Sequence, residues 1–149
     1  MNNTQFVNNP SDTDKPPKDS MNSKQLVEFI INTCEDMKAD EIKVYDFTQK
    51  YYETDYMICC SGLSTTHANS ISDKVEFLLK KQNQYPLSIE GRNEQLWILI
   101  DYGNVVLHIM ETNRRDELDI DTLLEERVTQ LRSKQDYSTV YEIPEKNEE

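Results

Sequence analysis

The sequence predicts a layered α+β fold: a mixed β-sheet of about five short strands with flanking helices. Three segments repeat their apolar residues at helical spacing, and runs rich in β-branched and aromatic residues alternate with them. Near the middle, two apolar runs flank Asp101-Tyr102-Gly103-Asn104, a tight-turn signal. The chain has 149 residues. Once its polar ends are set aside, roughly a hundred residues remain, enough for one core and too few for two.

Residues 1–20 (MNNTQFVNNPSDTDKPPKDS) hold almost nothing to bury, so they are expected to form a disordered tail. Asn22 or Ser23 can cap a first helix, whose stripe is Leu26, Val27, Ile30, Ile31, Cys34 and Met37. Ile42 to Phe47 reads as a strand, Thr48 to Glu53 as a polar connection, and Asp55 to Cys60 as a second strand. Ser64 can cap the next helix, which carries Ala68, Ile71, Val75, Leu78 and Leu79 on one side and ends at Gln82-Asn83 before Pro86. Leu87 to Glu90 forms a short strand.

Leu96 to Met110 reads as a hairpin pairing Ile100 with Val105, Leu99 with Val106, Ile98 with Leu107 and Trp97 with His108. Alternation then sorts two faces. Leu96, Ile98, Ile100, Val105, Leu107 and Ile109 form an aliphatic core face. Trp97, Leu99, Asp101, Asn104, Val106, His108 and Met110 form a mixed one. A last helix starts at Asp119 or Asp121 and buries Ile120, Leu123, Leu124, Val128 and Leu131. The domain is thus expected to span residues 21–132, followed by a polar tail over 133–149.

Acidic residues number 28 against 16 basic ones, a net charge of −12. Such a chain repels phosphates unless lysines and arginines cluster, and the densest basic runs are only Lys80-Lys81 and Arg114-Arg115. Sequence-specific nucleic-acid binding is therefore not expected, and a basic protein partner is. Cys34, Cys59 and Cys60 lack metal or disulfide spacing and read as small hydrophobes, with Cys59 and Cys60 pointing to opposite faces of a strand. No apolar run reaches the roughly 20 residues a membrane span needs. The first twenty residues lack arginine and include Asp12, Asp14 and Asp19, unlike a leader or transit peptide, so the expected location is cytoplasmic.

Candidates for chemistry are few. His67 and His108 have no cysteine or carboxylate at metal-ligand spacing, so no metal is expected. Ser61-Gly62-Leu63-Ser64 joins a strand to a helix, a place where amides can hold phosphate. Nucleotidyl transfer there would also need clustered carboxylates for metal ions, but Asp73 lies in mid-helix and Asp119-x-Asp121 sits where acids commonly cap. A nucleophile elbow is excluded, since Thr65-Thr66 follow Gly62-x-Ser64. The expectation is a binding module with no catalytic residue and no cofactor. A nucleotide-dependent transferase retaining the Gly62-x-Ser64 turn is the competing reading.

From Ile42 to about Leu124 the chain resembles the Iojap family of ribosomal silencing factors. Thr54-Asp55-Tyr56-Met57-Ile58 looks like the family's Asp-Tyr strand, and Ser61-Gly62-Leu63-Ser64 with His67 like its Gly-x-Ser-x-x-His turn. Glu90-Gly91 then precedes Trp97-Ile98-Leu99-Ile100-Asp101-Tyr102-Gly103-Asn104-Val105-Val106-Leu107-His108-Ile109, much as in the family's signature hairpin. There are departures: Glu117-Leu118 stand after Arg115 in place of an aromatic pair, and Thr66 in place of the arginine before the turn histidine. The resemblance implies a nucleotidyltransferase-like sheet without the enzyme's carboxylates. It also implies a translational repressor that binds large-subunit ribosomal protein fourteen, blocks joining of the small subunit under nutrient limitation, and can form a homodimer. An acidic adaptor for some other basic protein is the reading that charge alone supports.

For the docking surface, the mixed face of the hairpin is the expectation: Trp97, Leu99, Val106 and His108, with Asp101 at its end. A large rigid aromatic is what an interface uses as an anchor. The alternative is that helices cover both faces and Trp97 belongs to the core.

Overall fold

The computed structural model describes residues 20–48, 54–131 and 140–142. Of the sequence expectations, residues 1–19 of the N-terminal tail, 49–53 of the polar connection, and 132–139 and 143–149 lie outside the described residues. In chain order the elements are α1 (Ser23–Asp36), β1 (Asp40–Asp46), β2 (Tyr56–Gly62), α2 (Thr65–Lys80), β3 (Ser88–Glu90), β4 (Trp97–Asp101), β5 (Val105–Glu111), α3 (Thr112–Leu118), α4 (Ile120–Leu131) and β6 (Val140–Glu142). The strands form one sheet in the order β3-β4-β5-β2-β1-β6. Among the described strands only the central β2–β5 pair is parallel. The layered α+β architecture read from the sequence is the one observed.

Local chemistry fixes the helix starts. Asn22 caps α1 in a reciprocal box, its side chain accepting from the Gln25 amide at 2.8 Å while Gln25 Oε1 accepts from the Asn22 amide at 3.0 Å. Ser64 caps α2 by accepting from the His67 amide at 3.0 Å. The apolar stripes of these helices, Leu26, Val27, Ile30, Ile31 and Cys34 with Ala68, Ile71, Val75 and Leu79, close over one face of the sheet. There they meet Val44, Ile58, Cys60, Ile98, Ile100, Val105, Leu107 and Ile109. The strand alternation thus places the expected core face inside, save Leu96, which is 37% exposed.

The hairpin register differs from the expectation by two residues. Trp97 pairs with Met110, Ile98 with Ile109, Leu99 with His108, Ile100 with Leu107 and Asp101 with Val106. The Tyr102 amide donates to the Val105 carbonyl at 2.9 Å, so the loop is Gly103-Asn104. Gly103 takes a φ of +92° at the first of the two central positions, where a glycine-led hairpin turn requires it. Asp101 Oδ1 accepts from the Gly103 amide at 2.7 Å. A slip of two residues keeps every side chain on its face, which is why the sorting into faces survives.

Two elements were not anticipated. Glu111 caps α3 by accepting from the Arg114 amide at 3.0 Å, turning the end of β5 directly into a helix. Val140–Glu142, within the stretch expected to be a polar tail, pairs antiparallel with Lys43–Tyr45 and borders the sheet.

The second face of the sheet is organised by Arg115 of α3, which is 6% exposed. Its Nε and one terminal nitrogen donate to the two carboxylate oxygens of Asp121 at 2.7 and 3.0 Å. The other terminal nitrogen donates to the Glu41 carbonyl at 2.7 Å and Ser61 Oγ at 2.9 Å. Tyr45 completes the set by donating its hydroxyl to Asp121 at 2.6 Å. Burial alone would raise the Asp121 pKa, but the hydrogen bonds from Arg115 and Tyr45 hold it below the ordinary carboxylate range. Asp119, left-handed at φ 50°, turns the chain between α3 and α4 so that Asp121 can reach back.

Removing one member of a buried pair leaves a stranded charge, so Arg115→Ala should cost about 3 to 5 kcal/mol in urea unfolding. The Lys43–Glu125 pair, at 3.9 Å and much more exposed, provides the contrast. Lys43→Ala should cost less than about 1 kcal/mol in the same assay.

Candidate docking face

Side chains on the second face divide into a covered half and an open one. Tyr45 from β1, Cys59 from β2 and Met110 from β5 are fully buried and pack with Phe47 and with Ile120 and Leu124 of α4. Trp97 stands at the border, half-buried against that cluster together with Met57. Beyond it on β4 lie Leu99 and Asp101, both partly exposed, and on the edge strand β3 the exposed Ser88 and Glu90.

The five residues singled out in the sequence therefore share one face but not one depth. Trp97, Leu99 and Asp101 form a partly exposed strip along β4. Val106 and His108, 8% and 6% exposed, lie beside them on β5 as its floor. Neither simple alternative describes Trp97, which is neither free nor enclosed.

Trp97 and His108 are bonded to each other. The indole Nε1–H donates to His108 Nδ1 at 3.0 Å, with ring centroids 5.9 Å apart and planes tilted by 39°. An indole nitrogen can only donate, so His108 Nδ1 is the unprotonated acceptor and its proton is on Nε2. Burial pulls the His108 pKa down to about 4, against the opposing pull of the Asp121 carboxylate. The ring is neutral at physiological pH.

The strand-to-helix turn is built differently from a phosphate cradle. A Cβ on Gly62 would lie 2.6 Å from the Ala68 nitrogen, so the start of α2 already fills the space beside that glycine. The Leu63 amide donates to His67 Nδ1 at 2.9 Å, and His67 Nε2 donates to the Met37 carbonyl at 2.7 Å. Thr112 Oγ1 closes the far side by donating to the Gly62 carbonyl at 3.1 Å. His67 thus ties α1, β2 and α2 together. Asp121 lies in the first turn of α4, where the sequence suggested an acid at a helix start, and its carboxylate also holds Arg115 and Tyr45.

Cys59 and Cys60 point into opposite clusters, as the alternation predicted. Burial pushes the Cys59 thiol up, and a hydrogen bond to Cys34 with burial does the same for Cys60, so both remain protonated. Among the described residues no group of three or more His, Cys, Asp or Glu is placed to hold a metal ion. No helix among them is long and apolar enough to cross a membrane. Arg115, the residue on which the covered half depends, was missed as a functional position; its partner Asp121 lies six residues on, across a left-handed turn that no periodicity marks.

Comparison with known proteins gives a consistent result. A family described as ribosomal silencing factor during starvation matches residues 20–149. The ribosomal silencing factor RsfS of Haemophilus influenzae is 32% identical over 98 residues, which is 66% of this chain and 96% of that protein. A Mus musculus protein named mitochondrial assembly of ribosomal large subunit protein 1 is 26% identical over 110 residues, 72% of this chain and 48% of that one. A crystal structure of a Chromobacterium violaceum protein is similar with a TM-score of 0.67 and 28% identity, over 70% of this chain and 87% of that chain.

The buried neutral histidine has a pH signature. Its folded pKa of about 4 lies below the ordinary 6.5, so between those values the unfolded chain takes up a proton that the folded chain refuses. Stability should fall as pH drops through this window, with roughly 3 kcal/mol due to His108. Urea unfolding from pH 7 to pH 4 should show this component in the wild type and not in His108→Asn; parallel curves would contradict it.

Proposed function

This chain belongs to the ribosomal silencing factor family, and from that premise we propose that it is a translational repressor acting by occupancy. It binds the large ribosomal subunit through large-subunit ribosomal protein fourteen, and its bulk keeps the small subunit from joining. Translation falls accordingly when nutrients are limiting. No bond is made or broken, no cofactor is used, and the setting is the cytoplasm.

The observation that carries this reading is the strip Trp97, Leu99 and Asp101, left open beside the helix-covered half of the same face. Val106 and His108 form the floor behind it. A partly exposed tryptophan on a rigid strand suits an anchor, because little freedom is lost when it is covered. The net charge of −12 attracts a basic ribosomal protein and speeds encounter. The mouse relative, whose name places it in assembly of a large ribosomal subunit, supports the choice of subunit. In the absence of the partner, a second copy can cover the same strip as a homodimer.

The strip is tested by two variants in pull-down with purified protein fourteen. Trp97→Ala should weaken binding roughly 30- to 1,000-fold while the protein still unfolds cooperatively. If it binds as tightly as the wild type, docking through this face is wrong. Asp101→Asn keeps the oxygen that accepts from the Gly103 amide and removes the charge. It should slow association and flatten its salt dependence, with dissociation nearly unchanged.

A further inference from the structure

We propose that His108 is a positioning residue for Trp97, acting through the indole rather than touching the partner, and that it holds the anchor in its binding pose before any partner arrives. The inference rests on the docking reading for its effect on affinity, but not for its effect on the tryptophan itself.

Geometry gives the reasons. His108 is 6% exposed and its Nδ1 is taken by the Trp97 Nε1–H at 3.0 Å, so little of the ring is available to another molecule. Trp97 is half-buried, and the described side chain to which its only polar hydrogen donates is His108. Without that acceptor the indole nitrogen would turn toward water and the ring would sample other rotamers.

His108 is itself held from several sides. Across the sheet it pairs with Leu99 on β4 and Cys59 on β2, neither of which is charged at neutral pH. The charged group acting on it is Asp121 of α4, whose carboxylate oxygens are already engaged by Arg115 of α3 and Tyr45 of β1. Burial keeps His108 neutral and able to accept, against the upward pull of that carboxylate.

The chain has a single tryptophan, so its fluorescence reports on this position alone. Time-resolved anisotropy of the free protein should show the wild-type indole tumbling with the whole domain. His108→Leu keeps the site filled but removes the acceptor and should add a fast, local component. His108→Asn offers an amide oxygen near the place of Nδ1 and should restore the slow decay. In binding to purified large ribosomal subunits, His108→Leu should lose about three- to tenfold in affinity, and His108→Asn should recover most of it.

An indole equally rigid in His108→Leu, or an asparagine variant as loose as the leucine one, would overturn the proposal. If the anisotropies separate as expected while even the wild type ignores large subunits, positioning stands and the docking reading fails.

Discussion

The ion pair between Arg115 and Asp121 decides what the second face of this sheet can do. Six strands spaced about 4.8 Å apart make a sheet roughly twice as wide as a helix, so each face needs two well-placed helices to close it. α1 and α2, of 14 and 16 residues, close the first face. The second receives a 7-residue helix beside β5 and β2 and α4 over β1, tied to each other by the Arg115–Asp121 pair. What they do not reach is the strip along β4 and β3. The open half follows from where this corner is tied down.

Buried ion pairs are poor sources of net stability, since desolvation offsets most of their attraction. Their use lies in geometry. Arg115 makes four hydrogen bonds to three elements besides its own, namely the Glu41 carbonyl, Ser61 and Asp121 twice. A leucine there would pack, but it would not specify one angle between α3 and the sheet. Tyr45 donates to the same Asp121, whose charge also acts on His108, although burial is what keeps that ring neutral. On the proposed reading, a protein that works by standing in the way needs this rigidity more than it needs reactive groups. The strand-to-helix turn, in which Ala68 of α2 takes up the room beside Gly62 and His67 accepts from the Leu63 amide, is consistent with such a task.

Much of this was legible in the sequence because it follows from period and capping. Helical stripes gave α1 and α2, with Asn22 and Ser64 at their starts, and alternation sorted β4 and β5 into faces. The hairpin register was misread by two residues, since the position of Gly103 within a two-residue loop depends on the turn type and not on the strands. α3 was not foreseen because Glu111 is both the last residue of a strand and the cap of a helix. That Trp97, Leu99, Asp101, Val106 and His108 share one face was legible, but the division of that face into a partly exposed edge and a buried floor was not. Depth depends on where α3 and α4 lie, and that depends on a contact from Arg115 to Asp121 that no local pattern records.

The central claim is that occupancy of the large subunit excludes the small one. It is tested most directly by mixing separated ribosomal subunits with increasing amounts of the pure protein and following their association by light scattering and sucrose-gradient sedimentation. Joining should be lost in proportion to the protein bound, reaching completion near one copy per large subunit. Joined ribosomes that form at the normal extent while carrying the protein would contradict the account.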